Sequence, residues 1–433
     1  MNILLLGSGG REHTLAWKIA QSPLTEKLYI APGNAGTSIV GANISMNPND
    51  FKAVKDFSVQ NKIDLIVVGP EEPLVNGIYD YFKGDAKARN IPIVGPSRAG
   101  ARLEGSKNYA KDFMKRHQIP TASYRSFTSH EIKDAEAYIR SSEPPYVLKA
   151  DGLAAGKGVI IVNDAEEAIT HIKEMLLDKK FGKASEKVVI EQFLNGIELS
   201  VFVITDGNDW ILLPEAKDYK RIGVGDTGPN TGGMGSISPV PFMDAAFLNK
   251  VTDKIIQPTI NGLWKDKIDY RGFIFFGLIN VDGDPFVIEY NVRLGDPETE
   301  SVIPRITSDL VPVLLACAEG DLTEHFIDTD PRAAATVMLV SGGYPGEYQK
   351  GHVIKGLPGD SGESSDDDQI CMVFHAGTAT NSANEIVTAG GRVIAITTLA
   401  ETPDEALKLS FDGAAKIDFT DKYFRSDIGF DIL

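Results

Sequence analysis

A multidomain chain of mixed α/β and α+β character is predicted by three observations. Strand-like and helix-like segments alternate through the first hundred residues; two strands joined by a run of small residues follow near residue 150; and beyond about residue 333 short strands alternate with glycine-rich turns. At 433 residues the chain is long enough for roughly three domains. A 42% apolar and 24% charged composition is that of a globular protein. No apolar run approaches the ~18 residues of a membrane span, so no membrane partner is expected. The opening Met1-Asn2-Ile3-Leu4-Leu5-Leu6 has no basic lead and runs straight into Gly7, so it reads as a first strand and not as a signal peptide. Two cysteines, Cys317 and Cys371, do not make a disulfide framework, and a cytoplasmic location follows as the expectation. The net charge of −17 excludes broad binding to nucleic acid or anionic lipid, because the long-range field repels polyphosphate. A small phosphate ligand is still admissible, for example near the basic cluster from Lys217 to Arg221.

In the first hundred residues, segments 3–6, 28–30, 65–68 and 91–94 read as strands, and 12–21, 51–61 and 78–87 as helices. That order predicts a parallel sheet wrapped by helices. The first strand leads into Gly7-Ser8-Gly9-Gly10-Arg11-Glu12-His13, a glycine turn opening a helix, where free N–H groups can hold a phosphate. A dinucleotide fingerprint fails here: its last glycine position is Glu12, and the second strand ends in Ala31-Pro32-Gly33 with no acid for a ribose. Two more turn-rich loops, 31–37 and 68–74, belong at the same carboxyl edge of the sheet, either as ligand loops or simply as tight turns.

Helices are expected across 99–118, around Glu104-Gly105-Ser106-Lys107. The strand 146–150 carries a single lysine, Lys149, and 159–162 is its partner. Between them Asp151-Gly152-Leu153-Ala154-Ala155-Gly156-Lys157-Gly158 forms a small-residue flap suited to phosphates. It is not a Walker loop, because Lys157 is followed by Gly158 and a strand. After a helix at 164–177, a strand at 187–193 ends in Glu191-Gln192-Phe193, apolar enough to lie against a purine, with Glu198 placed to reach a ribose; a plain linker fits these residues equally well. Four glycines within Gly228-Pro229-Asn230-Thr231-Gly232-Gly233-Met234-Gly235 suit a backbone cradle for a small polar or anionic group.

The segments 273–281 and 286–292 form a hairpin through Asp282-Gly283, which places the second on a central strand. Its residues alternate, so Glu289, Asn291 and Arg293 share one face and Ile288, Tyr290 and Val292 the other. A carboxylate, an amide oxygen and a guanidinium together suit a divalent cation bound to a nucleotide; a solvated polar face is the competing reading. In the last hundred residues, 337–340, 353–354, 372–376 and 393–397 read as strands and 404–417 as a helix. The acidic stretch 359–368 reads as a solvated loop. His375 and Arg392 are noted there with surface or packing roles.

Taken together, these motifs are similar to the ATP-grasp superfamily, and more closely to the phosphoribosylamine–glycine ligase family. The resemblance rests on the glycine turn at 7–13, the loop 31–37, Leu103-Glu104-Gly105-Ser106-Lys107, the stretch 149–158, the cradle 228–235 and Arg293-Leu294-Gly295-Asp296-Pro297-Glu298, and it covers essentially the whole chain. It implies a Rossmann-like N-terminal domain at 1–103, an ATP-grasp core at 104–120 and 194–328, an inserted flap at 121–193 and a small β-rich C-terminal domain at 329–433. It implies ligation of glycine to 5-phosphoribosylamine with ATP as co-substrate, through glycyl phosphate, by a monomer or weak dimer. Glu289 and Asn291 would bind Mg2+ or Mn2+. Lys107, Lys149, Gly156, Lys157 and Gly158 would meet the nucleotide phosphates, and Glu191, Gln192, Phe193 and Glu198 the adenosine. By the same resemblance Arg293, Lys149 and Asp218 would carry the chemistry. The amine and glycine would be received by Gly9, Gly10, Arg11, Gly33, Asn34, Pro70, Glu71, Lys220, Asn230, Thr231, Gly232, Gly233 and Asp296. The alternative is another ATP-grasp carboxylate–amine ligase acting on a different acid or amine. Two departures stand out: the family's Gln-Asp-His-Lys-Arg is Lys217-Asp218-Tyr219-Lys220-Arg221 here, and its Gln after Asp-Pro-Glu-Thr is Glu300.

Overall fold

The computed structural model describes residues 1–153, 158–358 and 371–433; Gly156, Lys157 and the acidic stretch 359–368 lie outside these. The first hundred residues form a sheet of five parallel strands in the order Ala42–Asn43, Lys27–Pro32, Asn2–Gly7, Leu65–Val68, Ile93–Val94. Ile3, Leu5, Leu65 and Val67 enter one core, while Leu4, Leu6, Ile66 and Val68 enter another. Burial on both faces explains why these strands read as unbroken apolar runs. The strand order reverses between Asn2–Gly7 and Leu65–Val68, so Gly7 and Gly69 flank the switch point where an open sheet binds ligands. The loop expected after Val68 is instead a short helix, Glu71–Asn76, capped by Pro70 and ended by left-handed Gly77. Two glutamates in its first turn complement the helix dipole, and Pro73 is tolerated so close to the start.

The helical region beyond Ser97 breaks at Ser106 into Arg98–Gly105 and Lys107–Arg116, because the Ser106 side chain caps the second helix at Tyr109 N, 3.1 Å. Four antiparallel strands follow in the order Tyr124–Thr128, Lys187–Gln192, Tyr146–Ala150, Val159–Val162, with helices Ile132–Arg140 and Ala165–Leu176 sealing a core of their own. Asp151, at the end of the lysine strand, ties this unit to the Lys107–Arg116 helix by accepting from Ser106 Oγ (2.9 Å) and Asn108 N (2.8 Å).

A second antiparallel sheet has the order Trp210–Leu212, Ile197–Thr205, Gly272–Val281, Asp284–Asn291. The expected hairpin is present, turning at Asp282 and Gly283, both at positive φ. Its second strand, however, is the edge of the sheet and not a central strand; Pro120 O accepts from Val287 N (2.8 Å) on the open side. The alternation is also interrupted. Gly277 pairs with Glu289 and Leu278 with Val287, which leaves Ile288 as a bulge residue. A bulge re-aims side chains and is common beside functional sites. Beyond it Tyr290 anchors the strand, buried against Phe113 and Phe276 with its hydroxyl 2.9 Å from Thr259 Oγ1. Burying such a ring contributes about 1.5–3 kcal/mol.

The third large sheet has the order Lys217–Asp218, Gly235–Ser238, Ala333–Val340, Arg392–Ala400, Cys371–His375, with helix Pro403–Lys416 packed on it. Two of its strands thus come from the middle of the chain. The expected strand at 353–354 is absent as such: Val353 makes one isolated bridge to Val387, because its neighbours turn away at Gly351 and Gly356. No helix of the described residues is long and apolar enough to cross a membrane.

Candidate active site

Lys107, Lys111, Glu191, Ile288, Glu289, Asn291 and Arg293 meet around a cavity of about 170 Å³ whose wall also includes Glu71, Glu104, Gly152 and Gly158. Glu289, Asn291 and Arg293 line it as the alternation requires, but Ile288, at the bulge, and Tyr290 line it too.

The cavity is a balanced array of charge. Burial alone would raise the Glu289 carboxyl, but Lys220, Lys149 and Lys107 outweigh it, and a hydrogen bond from Asn291 helps hold Glu289 below the usual carboxylate range. Lys107 donates to Gly152 O (3.1 Å), and burial lowers its pKa. Lys149 is buried behind the cavity, where it donates to Glu191 Oε2 (3.1 Å) and Ile288 O (3.3 Å). The same Glu191 oxygen meets Lys111 Nζ at 2.8 Å, while Glu191 Oε1 is buried with no partner. Lys111 is 2% exposed, its pKa is lowered to about 8 by burial, and it also donates to Thr121 Oγ1 (2.7 Å), which donates to Val287 O (2.6 Å). Sequence reasoning missed Lys111. Its position four residues after Lys107, on the same helix face, was the available signal.

Arg293 is fixed rather than free: it meets Glu104 Oε1 (2.9 Å), Asn291 Oδ1 (3.2 Å), Leu294 O (3.0 Å) and Glu71 Oε2 (3.5 Å). The second oxygen of Glu104 accepts from Val292 N at 2.8 Å, so this carboxylate holds both the guanidinium and the backbone of the residue before it. Gln192 and Phe193 are exposed at the end of their strand. Glu198 lies farther off, 2.8 Å from Lys220 Nζ.

Toward the N-terminal sheet, Glu12 fills the space under the glycine turn. It accepts from Gly9 N (2.6 Å) and Arg11 Nε (2.6 Å), and a side chain at either Gly7 or Gly69 would collide with it. The residue that breaks the dinucleotide fingerprint is thus the one that shapes the turn. Arg11 also reaches Leu294 O (3.2 Å), and its backbone N–H reaches Asp296 Oδ2 (3.4 Å). Asn34 is a brace: its amide donates to Ser8 O (2.9 Å) and His375 O (2.7 Å), and its Oδ1 accepts from Gly36 and Thr37. Gly33 is left-handed (φ 73°), as the loop requires. Pro70 starts the helix that presents Glu71 to the cavity.

A third group lies beyond Asp296. Thr231 folds the cradle back on Lys220, donating to Lys220 O from its N–H (2.7 Å) and its hydroxyl (2.8 Å), and its Oγ1 accepts from Gly233 N (2.9 Å), while Asn230 ends the preceding strand. Arg392, expected to take a surface or packing role, is half-buried within this group: Nη1 reaches Gly232 O (2.6 Å) and Asp296 O (2.7 Å), and Nη2 reaches Asp296 Oδ1 (2.9 Å). Its distance in sequence hid it. His375 does pack, its N–H donating to His13 Nδ1 at 2.7 Å; burial pushes the two imidazoles down, to about 3 for His13 and about 4 for His375. The acids here are poorly matched. Burial and the neighbouring Asp218 charge push the Glu298 carboxyl up to about 7, and burial raises Asp218 in turn. Glu300 is 0% exposed with neither carboxylate oxygen partnered, and burial with nearby Asp296 holds it well above the usual range. The remaining departures share one partner: Lys217 Nζ lies 3.2 Å from Asp431 and above the Tyr219 ring, whose hydroxyl donates to Asp431 at 3.0 Å. They turn away from the cavity as a matched set.

Among the described residues no three His, Cys, Asp or Glu side chains cluster to hold a metal unaided. Ionised Glu289 beside the Asn291 amide fits a hard cation that draws its other ligands from phosphate and water.

Family profiles match along the chain: phosphoribosylglycinamide synthetase, N domain, at 1–104; its ATP-grasp (A) domain at 105–299; and its C domain at 334–431. The phosphoribosylamine–glycine ligase of Yersinia pestis is 45% identical over 99% of this chain and 98% of its own, and that of Escherichia coli K12 is 45% identical over the same shares. A bifunctional purine biosynthetic protein of Pichia angusta is 46% identical, and this chain matches 53% of its length. The crystal structure of the phosphoribosylamine–glycine ligase of Thermotoga maritima superposes with a TM-score of 0.83 at 34% identity, covering 99% of this chain and all of that one. A biotin carboxylase from Campylobacter jejuni shares the fold, with a TM-score of 0.72 at 16% identity, covering 97% of this chain and 92% of that one.

Proposed function

The chain belongs to the phosphoribosylglycinamide synthetase family, and from that membership we propose how its residues divide the reaction between them. It is an ATP-dependent ligase of purine biosynthesis that joins glycine to 5-phosphoribosylamine. The observation that carries the proposed division is the convergence of ionised Glu289, Asn291, pinned Arg293 and Lys107 on one cavity.

Carboxylate oxygen is a poor leaving group, so glycine's carboxyl must be activated before an amine can displace it. In the proposed route a glycine oxygen bonds to the γ-phosphorus of ATP as the bond to the bridging oxygen breaks, giving glycyl phosphate and ADP. The amine then attacks the carbonyl carbon, phosphate leaves, and the amine loses a proton. Lys107 and Lys149 neutralise the phosphate chain, and Arg293, held rigid by Glu104 and Glu71, steadies the moving phosphoryl group. Glu289 and Asn291 are the proposed ligands of Mg2+ or Mn2+, which supplies Lewis-acid stabilisation of the transferring phosphoryl oxygens. Gly158, which lines the cavity, meets the phosphates in this reading; Gly156 and Lys157, assigned to the phosphates by the sequence, lie outside the described residues. Glu191, Gln192, Phe193 and Glu198 hold the nucleoside. Asp218, with Glu298 and Lys220 beside it, offers counter-charge to glycine's ammonium and carboxylate. The Gly9–Arg11 turn, the 33–34 and 70–71 loops, the cradle at 230–233 and Asp296 receive the phosphoribosylamine. The reading includes a monomer or weak dimer in the cytoplasm.

ADP release is the test. It should require both glycine and freshly generated phosphoribosylamine, and release that continues with either one omitted would sink the assignment.

A further inference from the structure

Two of the segments proposed to receive phosphoribosylamine, the turn at 9–11 and the cradle at 230–233, are far apart in the sequence, and Arg392 with Asp296 joins them. Arg392 begins the strand Arg392–Ala400 of the third sheet, yet its Nη1 donates to Gly232 O (2.6 Å) in the cradle and to Asp296 O (2.7 Å), with Gly233 O also near at 3.4 Å. Its Nη2 lies 2.9 Å from Asp296 Oδ1. The other oxygen of Asp296 accepts from the backbone of Arg11, inside the glycine turn. A chain of contacts therefore runs from the cradle through Arg392 and Asp296 to the turn at 9–11. The fit leaves no slack: a Cβ on Gly232 would lie 2.7 Å from the guanidinium carbon, and one on Gly233 would collide with Pro297. Arg392 is also the cation acting on Glu300, whose two oxygens have no hydrogen-bond partner. None of its partners lines the Glu289 cavity.

We infer that Arg392, supplied by the C-terminal sheet, is a positioning residue for the amine substrate: it sets the spacing between the turn at 9–11 and the cradle at 230–233, and so the affinity for the phosphorylated ribosylamine but not for ATP. Its planar fork spans three oxygens on two loops, which a point charge cannot do. This inference rests on the functional reading above.

The experiment compares wild type, Arg392→Lys, Arg392→Met and Gly232→Ala, measuring kcat and the KM of each substrate together with Tm. Loss of the charge-assisted bonds in Arg392→Met should raise the KM for phosphoribosylamine roughly tenfold or more, with Arg392→Lys between it and wild type. The KM for ATP should stay within about twofold of wild type, because none of the affected contacts touches the nucleotide cavity. Gly232→Ala displaces the guanidinium from the loop side and should show the same split, so the test survives if Arg392→Met fails to fold. Guanidinium ion should partly restore amine affinity in Arg392→Met. Unchanged KM values, or equal rises for ATP and phosphoribosylamine, would overturn the inference. A wild type that ignores phosphoribosylamine would instead refute the functional reading, so the two failures are told apart.

Discussion

The two halves of the site are built on opposite electrostatic plans. Around Glu289 nearly every charge has an opposite within reach: Glu191 between Lys111 and Lys149, Arg293 between Glu104 and Glu71. Around Asp218, Glu298, Asp296 and Glu300 three of the four acids are not at ease: burial and the Asp218 charge raise Glu298, burial and the Glu198 charge raise Asp218, and Glu300 is buried with no hydrogen-bond partner on either oxygen. A matched array can stand rigid before its ligand arrives, which favours stabilising a transition state by preorganisation. An unmatched acid cluster is costly until a cation enters, which favours capture of an ammonium group. This contrast supports the proposed division, with the phosphoryl chemistry in the first half and the amino substrate in the second.

The largest effect should come from the matched half. Glu289→Ala is expected to cost at least about a thousandfold in kcat while Tm moves little, since it removes a ligand and not a core contact. Wild-type turnover in that variant would dissolve the contrast.

Glu298→Gln probes the other half. With the Glu298 carboxyl at about 7, wild-type kcat/KM for glycine should climb with pH up to that point, as the counter-charge to the ammonium ionises. In Glu298→Gln the climb should vanish. Stability has the reverse sign: the folded state holds this proton above the ordinary pKa of 4.5, so stability is fullest below that value and falls as pH rises through about 7. Thermal melts of the free protein across pH 4.5–8 should show a decline that is shallower in the glutamine variant, the remainder belonging to Glu300 and Asp218.

Gly69→Ala tests the frame shared by both halves. The added methyl meets Glu12, and overpacking of this kind costs about 1–3 kcal/mol, measurable as a lowered midpoint in urea. Smaller still, Lys111→Met should raise the KM for ATP by roughly three- to tenfold with kcat less affected, because Glu191 then relies on Lys149 alone. An unchanged KM would mean that Lys111 only fills space.

What the sequence made legible was whatever is local. Alternation along 286–293 brought Glu289, Asn291 and Arg293 to notice, and the glycine turn at 7–13 marked the end of the first strand. Neither the bulge at Ile288 nor the edge position of that strand is written in its own residues; both depend on how Gly277 and Leu278 pair with it. The partners of Arg392 were hidden for the same reason, since they lie 96 and more residues away. The substitutions Lys217 and Tyr219, puzzling one at a time, make sense only with Asp431 in view.

One feature of the third sheet bears on how the protein is made. The cradle lies between strands Lys217–Asp218 and Gly235–Ser238, and the latter pairs with Ala333–Val340, synthesised about 95 residues later. On the ribosome the nucleotide half can assemble while the cradle is still an unpaired edge awaiting its partner strand. Until that strand emerges, Gly235–Ser238 offers open backbone groups to any neighbouring chain. The amino-substrate half therefore matures last, and a nascent chain stalled before residue 333 is the form in which this protein should be most prone to aggregate.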